Sequence, residues 1–408
     1  MSYSSARLMA AAFRSVGVDA EATPDSNGET LELGGLYSSG EECLPHKITL
    51  GDFLRICRRP GAQAARLAFF MPRAQGPCRF GQYAPYLKQV LEQEGYGEAL
   101  ILSPSSASNY DELGDHASQL MRTTWMGIVV SDLVSRYLLK TRPYELRAGD
   151  TDEVFRDSVE RLCQILSRRD LTTKERLRAL TAENAAMRER FHAIPARYEK
   201  GRPFIGLVGE IFCRLNTFSN EDVARRIEQL GGECWLSDIS EWIWYTSWSR
   251  ETDCIRDNGR LNWTFLKLKL KTRLQQVYEK ALLAPVHDDF KGYEEPHDIR
   301  EILRCSEPYL PATGALGEMT LSVGKAIYLY NKGIDGVIDI SPFTCMNGIV
   351  SEAVYPAVSA AHDNLPIRSL YFDKVSTKID RDLEIFLDLA RAYQRRKTRP
   401  RTYPDYFK

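Results

Sequence analysis

Three of the nine cysteines, Cys43, Cys78 and Cys345, lie in a sequence context that suits metal ligation. Each has a proline or glycine within three residues and precedes a segment with the composition of a helix. A helix N-terminus stabilises an anionic thiolate and lowers the pKa of the thiol, which favours ligation. We therefore predict that these cysteines are placed as thiolates, and that the segment after Cys43 forms the helix behind it.

Two of these cysteines also follow apolar runs that read as strands. Cys78 comes after RLAFFMP, residues 66–72, and Cys345 comes after GIDGVIDI, residues 333–340. In open α/β sheets, ligands gather beyond the carboxyl ends of strands, where loops from distant parts of the chain converge. The spacing itself is a weak signal, because no CxxC pair occurs. A cysteine site must therefore be assembled by the fold.

The other six cysteines have less informative surroundings. Cys57 and Cys163 fall within apolar helical patterns and are predicted to be core residues, since free cysteines are commonly buried as small hydrophobes. Cys213 follows a third apolar run, within RPFIGLVGEIF at residues 202–212. The roles of three others stay open: Cys234, Cys254 and Cys305.

Strands that alternate with helices of about 10 to 15 residues predict parallel α/β layers. We expect an α/β fold with two Rossmann/flavodoxin-like lobes, each with a parallel sheet, and a long helical connection between them. A Gly-Arg-Pro sequence ends the helical stretch near residue 200. The predicted domains are an N-terminal lobe over 1–117 with Cys43 and Cys78, a helical connecting region over 118–200, and a C-terminal lobe over 201–408 with Cys345.

The composition is that of an ordinary globular protein, with 408 residues of which 43% are hydrophobic. The 54 basic and 55 acidic side chains balance, so no global field indicates a nucleic-acid or membrane partner. We expect a cytoplasmic protein, because the N-terminus lacks a signal-peptide pattern and no run reaches the roughly 18 to 20 apolar residues of a membrane span. The basic tail after residue 390 is expected to be a solvated end.

Four of the six tryptophans fall within GECWLSDISEWIWYTSW, residues 232–248. Aromatic residues at this density usually pack a core or a subunit interface. A wall that shields a reactive site is the alternative.

Four stretches of the sequence resemble a known family: SSGEECLPHKITLGDF, AFFMPRAQGPCRFGQYAPYL, GLVGEIFCRLNTFSNEDVARRIEQLGGECWLSDISEW and GVIDISPFTCMNGIVSEAVYPA. They look like the 2-hydroxyacyl-CoA dehydratase component D family. They are more closely similar to its relatives in the C-terminal region of large CoA-substrate-specific enzyme activase proteins, and to the double-cubane cluster proteins. The likeness runs from about residue 5 to about residue 390, and GPCRFGQY and PFTCMNG are its most specific motifs.

The resemblance implies an α/β protein in which loop cysteines hold an iron–sulfur cluster between two domains. On the matching positions, Cys43, Cys78 and Cys345 become the ligands of a [4Fe-4S] cluster or of a double cubane. It further implies that an ATP-dependent iron–sulfur reductase of the activase type supplies low-potential electrons for reduction of a small-molecule substrate. No GxxxxGK[ST] phosphate loop occurs, so this reductase would act in trans. A homodimer is expected.

The sequence departs from the family pattern at His46, where relatives of the activase type tend to carry a second cysteine. Histidine can ligate iron and then usually raises the reduction potential. The alternative is a plain polar loop residue. With three thiolates, one iron of a cubane would be left without a protein thiolate and open to substrate, water or a bridging sulfide.

Side chains near the predicted ligands are expected to offset the charge of the cluster or to donate hydrogen bonds to its sulfur atoms. Either interaction would tune the reduction potential. The alternative for each is a surface or helix-cap role. The candidates are Lys47, Arg79, Gln82 and Glu210. Two glycines, Gly76 and Gly81, would let the backbone approach the cluster closely.

Two other functions stay open. The chain could be a non-catalytic or cluster-free partner of the ATPase, which the loss of the cysteine at His46 supports. It could also be a subunit of a 2-hydroxyacyl-CoA dehydratase, although nothing in the sequence identifies a CoA site. Whether the chain is itself an enzyme is left open by these alternatives.

Overall fold

The computed structural model describes residues 2–73, 76–104, 114, 116–260, 262–315, 317–374 and 379–407. The protein is an α/β protein that is mostly helical, and its described strands form two parallel sheets, one of two strands and one of four. No helix of the described residues has the length and apolar character that crossing a membrane requires.

The N-terminal part carries the smaller sheet, in which the first two strands pair in parallel over three residues each. Asn27 and Thr30 form a reciprocal capping box that starts the second helix, and Pro45 in the first turn favours the start of the third. The elements are α1 (Tyr3–Arg14), α2 (Gly28–Gly35), α3 (Leu44–Cys57), β1 (Ala68–Phe70), α4 (Tyr83–Gln93) and β2 (Leu100–Leu102).

Three long helices occupy most of the predicted connecting region: α5 (Ala117–Thr141), α6 (Asp150–Ser167) and α7 (Thr173–His192). The last begins with a capping box between Thr172 and Glu175. Residues of α1, α5, α6 and α7 share one apolar core with residues of the larger sheet, including Phe204. The helical region is therefore packed into the body of the protein, while the predicted domain boundaries stay a prediction.

The C-terminal part carries the larger sheet, whose fully buried central strands explain the continuous apolar runs in the sequence. Its strands are β3 (Phe204–Gly209), β4 (Glu233–Leu236), β5 (Gly336–Pro342) and β6 (Ile367–Phe372). Its helices are α8 (Ile211–Leu215), α9 (Val223–Gln229), α10 (Ile239–Asn258), α11 (Trp263–Leu283), α12 (Arg300–Ser306), α13 (Gly317–Asn331), α14 (Met346–Ala361) and α15 (Ile379–Arg396).

The order of strands in the larger sheet is β4-β3-β5-β6, with every neighbouring pair parallel. From β3 the chain moves outward to β4 on one side, and from β5 it moves outward to β6 on the other. The point where the direction reverses therefore lies between β3 and β5. A crevice at the carboxyl ends of these two strands is the usual ligand position in such a sheet.

The three strands predicted from apolar runs are confirmed as β1, β3 and β5. Three strands were not predicted: β2, β4 and β6. The dense aromatic segment supplies β4 and the first half of α10, and Trp235 is buried against Phe204 and Tyr293. Trp244 packs edge-to-face on Trp125. A core role is therefore confirmed for these two tryptophans.

The basic C-terminal tail is held by buried ion pairs, so the expectation of a solvated end is wrong for it. The guanidinium of Arg401 donates to both carboxylate oxygens of Glu233 at 2.8 Å and lies over the ring of Phe204. Tyr144 donates to the same carboxylate at 2.6 Å. Local composition could not indicate this, because Glu233 lies far away in the sequence.

Helix α3 contributes to two apolar cores. Leu50, Phe53 and Leu54 pack in the core of the N-terminal part. Leu44 and Ile48 pack in a second core with residues of the larger sheet such as Ile205. The N-terminal turn of α3, which follows Cys43, is therefore fixed against the larger sheet.

Helices α2 and α3 cross at very close range through one glycine on each. A Cβ atom on Gly34 would lie 1.9 Å from the carbonyl oxygen of Lys47. A Cβ atom on Gly51 would lie 1.8 Å from the carbonyl oxygen of Thr30. Since both obstacles are backbone atoms, any side chain at either position must force the helices apart.

We expect Gly34→Ala and Gly51→Ala each to lower the free energy of unfolding by roughly 1–3 kcal/mol, the usual cost of overpacking. The measurement is urea denaturation. Gly35→Ala is the control, because a Cβ atom there meets nothing within 4 Å. The control should be neutral or slightly stabilising, since alanine is the better helix former. Equal effects at Gly34 and Gly35 would contradict the close crossing.

We expect Arg401→Ala to lower the free energy of unfolding by about 3–5 kcal/mol, because it leaves the fully buried Glu233 without its cation. Arg395→Ala is the control, at an exposed position of the same basic segment. Its effect should stay within about 0.5 kcal/mol. The tail would not be anchored as described if both substitutions had the same effect in urea denaturation.

Candidate functional site

The structure places all three predicted ligands at the same kind of position, the residue directly before a helix. Cys43 is the N-cap of α3, and Cys345 is the N-cap of α14. Cys78 is the N-cap of a 3-10 turn over Arg79–Gln82 that runs into α4. The prediction from sequence that each precedes a helix is confirmed. Cys43 is buried, and the other two are half-buried.

The site lies at the carboxyl ends of the two central strands of the larger sheet. Glu210 follows β3 and Cys345 follows β5 after a short turn. The amide of Glu210 donates to the carbonyl of Ile340 at 2.9 Å, which holds the two strand ends together. Gly209 adopts φ 114°, and a Cβ atom there would lie 2.2 Å from the carbonyl oxygen of Ile340. Glycine is therefore required at position 209, where the chain leaves the sheet just before Glu210.

The Arg79 side chain connects the loops that carry the three cysteines. Its guanidinium donates to the Thr344 carbonyl at 2.8 Å and to the Thr344 hydroxyl at 2.7 Å. It also donates to the carbonyl of Glu41. Thr344 has φ 62°, a left-handed conformation that is costly for a residue with a branched side chain. Arg79 thus joins the residue next to Cys345 to the loop before Cys43.

Burial raises the pKa of all three thiols, and the negative charge of Glu210 raises it further. The pKa of Cys345 is raised to about 12. Backbone amides that follow each cysteine lower the pKa, as expected at a helix start, but their effect is smaller than that of burial. The prediction of a lowered pKa is therefore wrong for these three thiols.

Two carboxyl groups lie beside the thiols. Glu210 accepts hydrogen bonds from the amides of Phe212 at 3.0 Å and Cys213 at 2.7 Å, and so caps α8. Glu318, in the first turn of α13, accepts from the amide of Ile211 at 3.2 Å and from the side chain of Asn347 at 2.8 Å. Burial and the charge of Glu210 raise the pKa of Glu318 to about 8. The Glu318 carboxyl therefore holds a proton to higher pH than an exposed glutamate does.

His46 lies in the first turn of α3 and packs edge-to-face against two rings, with centroid distances of 5.0 Å to Tyr83 and 4.9 Å to Tyr86. It is buried, and neither ring nitrogen has a hydrogen-bond partner in the described part of the chain. Burial lowers the pKa of His46, so the ring is neutral at physiological pH. The alternative of a plain polar loop residue is therefore wrong, because His46 is buried within a helix. Ligation by its unpaired nitrogens stays a prediction.

The residues predicted to tune the site differ in what they contact. Arg79 binds backbone and hydroxyl oxygens, and Glu210 caps a helix. Gln82 is exposed, and its side chain forms no cap hydrogen bond at the start of α4. Lys47 is half-buried on α3. Gly76 has φ 106°, a conformation that favours glycine.

Gly81 lies within the 3-10 turn. The backbone of this helical turn requires no glycine. A conformational reason for glycine therefore exists at Gly76 and not at Gly81. The expected close approach of the backbone to a cluster stays a prediction at both positions.

The hydroxyl of Tyr83 hydrogen-bonds the thiol of Cys43. The charge of Cys78 also raises the pKa of Tyr83, after burial and Cys43. The sequence contained Tyr83 within GPCRFGQY, yet its role was not predicted. Glu318 and Asn347 were missed as well. Glu318 had no local signal, because it reaches the site from a helix that precedes β5.

The core prediction for Cys57 and Cys163 is confirmed, since both belong to apolar cores. Cys213 is fully buried on α8, and the charge of Cys345 raises its pKa, after burial and Glu210. Cys213 therefore lies just behind the site. Cys234 and Cys254 are buried, and Cys305 is half-buried on α12.

Within the described residues, no three His, Cys, Asp or Glu side chains are grouped closely enough to hold a single metal ion. In a cubane each thiolate binds its own iron, so the ligands surround the cluster rather than converge on one point.

Comparison with known proteins adds no relative: no protein-family model, curated protein or solved structure matches this chain. The resemblance described from the sequence motifs therefore stays a prediction.

We expect Arg79→Ala to loosen both loops that its guanidinium joins. Amides near Glu41 and Thr344 should then exchange hydrogen for deuterium faster, because each loop loses a side-chain contact that restrains it. The control is Lys88→Ala, at an exposed position of α4. Exchange that stays unchanged in both loops would mean that Arg79 does not hold them.

Proposed function

We propose that this chain is an iron–sulfur protein that accepts low-potential electrons and reduces a small substrate at a cluster between its two α/β parts. Cys43, Cys78 and Cys345 would hold a [4Fe-4S] cluster, or a double cubane. The observation that carries the proposal is that three loops from distant parts of the chain each present a thiol at a helix start beside the same carboxylate, Glu210. The finer fold assignment, two Rossmann/flavodoxin-like lobes with a helical connection, belongs to this proposal.

The residues at this place fit such a group in chemical type. Thiolates are the usual protein ligands of iron–sulfur clusters. The Cys43, Cys78 and Cys345 thiols are free. The unpaired nitrogens of buried His46 are a possible nitrogen ligand or a hydrogen-bond partner for a bound species. When bound, the cluster would supply one-electron transfer at low potential.

The chain's own side chains would control protons and access. Burial and the charge of Glu210 raise the pKa of Glu318, so this carboxyl would be suited to supply a proton when a substrate gains electrons. The hydroxyl of Tyr83 hydrogen-bonds the sulfur of Cys43, and it would stabilise a thiolate there by donating to it. Arg79 would hold the loop before Cys43 and the loop before Cys345 together. These roles follow from contacts on the chain and do not depend on the substrate.

The electrons would come from an ATP-dependent iron–sulfur reductase in trans, since the chain has no phosphate loop. A homodimer in the cytoplasm is part of the same proposal. The alternative, a cluster-free partner of the ATPase, is favoured by the packing of His46 between two tyrosines where relatives tend to carry a cysteine. A dehydratase subunit stays a third proposal, with no contact in the structure that favours it.

Iron and acid-labile sulfide per chain test the proposal. We expect about four irons in anaerobically purified protein, and a large loss in Cys78→Ser and in Cys345→Ser, because serine is a poor ligand for a cluster. Cys305→Ser is the control, since this half-buried cysteine lies on α12, away from the three loops. More iron than one cubane holds would indicate the double cubane.

A wild-type protein without iron after anaerobic purification and reconstitution would contradict the cluster and favour the cluster-free alternative. An equal loss of iron in Cys305→Ser would show that the effect is not specific to the proposed ligands.

A further inference from the structure

Helix α11 leaves an apolar stripe open to solvent. Of its 21 residues, Gln275 and Leu282 are buried, so most of the helix lies on the surface. The exposed apolar side chains follow one another at spacings of three and four residues, and the exposed fraction reaches 77% at the first of them. They are Trp263, Leu266, Leu270, Leu274 and Val277.

The stripe is narrow. With 3.6 residues per turn, its five side chains fall within a sector of about 80° around the helix. A narrow seam at heptad-like spacing is typical of helix–helix pairing. Helices that lie in a membrane surface bury a broader apolar face. The geometry therefore favours a second helix over a lipid surface as the occupant.

Basic side chains flank the stripe on both sides. At the same angular spacing, Lys267 lies along one edge and Arg273 and Lys280 lie along the other. All three are exposed, and none forms an ion pair with a described residue. By contrast, Lys269 points to the neighbouring helix α10, where it pairs with Glu251 at 2.6 Å.

No acidic side chain of α11 balances these cations at the stripe. Glu279 lies on the opposite side of the helix by the same spacing, and burial raises its pKa to about 7. A second copy of this helix would place lysine and arginine opposite lysine and arginine, which is unfavourable at the flanks of a helix pair. A homodimer would therefore use another surface.

We propose that the exposed face of α11 binds an acidic amphipathic helix of a partner protein. Apolar side chains of that helix, such as leucine, would cover the stripe between Trp263 and Val277. Glutamate or aspartate at its flanking positions would pair with Lys267, Arg273 and Lys280. This inference rests on the α11 surface alone and holds whether or not the chain carries a cluster.

The test uses two fluorescently labelled synthetic helical peptides with leucine at positions a and d of each heptad. One peptide has glutamate at e and g, and the other has lysine there. We expect the wild-type protein to bind the acidic peptide in a fluorescence anisotropy titration and to bind the basic peptide at least about tenfold more weakly.

Two charge-reversed variants with the same change in net charge separate the site from a general charge effect. Lys267→Glu/Arg273→Glu/Lys280→Glu should lose affinity for the acidic peptide by about tenfold or more and should gain affinity for the basic one. Lys174→Glu/Arg178→Glu/Arg395→Glu is the control, at exposed positions on other helices, and should leave both affinities unchanged. Far-UV circular dichroism confirms that each variant is folded.

Three results would overturn the inference. One is the absence of acidic-peptide binding at the highest concentration titrated, and another is equal binding of the two peptides. The third is evidence that something else covers the exposed face of α11. If the protein binds neither peptide but sediments with vesicles of mixed phosphatidylserine and phosphatidylcholine, the occupant is a membrane surface. Dimerisation that Leu270→Asp abolishes in sedimentation velocity would identify a second copy.

Discussion

The candidate site depends on the double packing of helix α3. One set of its apolar side chains, including Leu50 and Leu54, belongs to the N-terminal core, and Leu44 and Ile48 belong to the core under the larger sheet. A helix that is fixed from two sides cannot shift its first turn without opening both cores, and interiors at close-packed density resist such shifts. Cys43 caps that first turn, so its position relative to the larger sheet follows from apolar packing. The glycine crossing with α2 adds to this constraint, because it fixes α3 from a third direction.

The other half of the site follows from sheet topology. Parallel pairing of β3 with β5 brings Glu210 and Cys345 to the same edge, although 134 residues lie between them in the sequence. The strand order reverses between these two strands, which is where a crevice at the carboxyl ends is expected. Arg79 then joins this edge to the cysteine loops of the N-terminal part through hydrogen bonds to backbone oxygens. Apolar packing therefore sets the distance between the two parts, and one guanidinium sets the arrangement of their loops.

Local patterns in the sequence predicted what depends on local physics. The apolar runs before Cys78 and Cys345 became strands β1 and β5, and the helices after the three cysteines begin directly behind them. Non-local contacts were beyond such patterns. Glu318 comes to the thiols from helix α13, which precedes β5 in the chain, and Arg401 pairs with Glu233, which lies far from it in the sequence. The second strand of the smaller sheet, β2, was not predicted either, because its three residues carry too little periodicity to indicate a strand.

The direction of the pKa shifts gives the site a consistent electrostatic character. Burial raises the pKa of the thiols and of Glu210 and Glu318, so this part of the protein favours their neutral, protonated forms. Three thiolates are costly in such a place unless a cation compensates them, and thiol ligation of a metal ion releases protons. The helix starts contribute only partial positive charge. Their backbone amides lower the pKa of each thiol by less than burial raises it. On the proposed function, a group that carries positive charge would offset the cost of ionising the thiols, which a neutral ligand would not do.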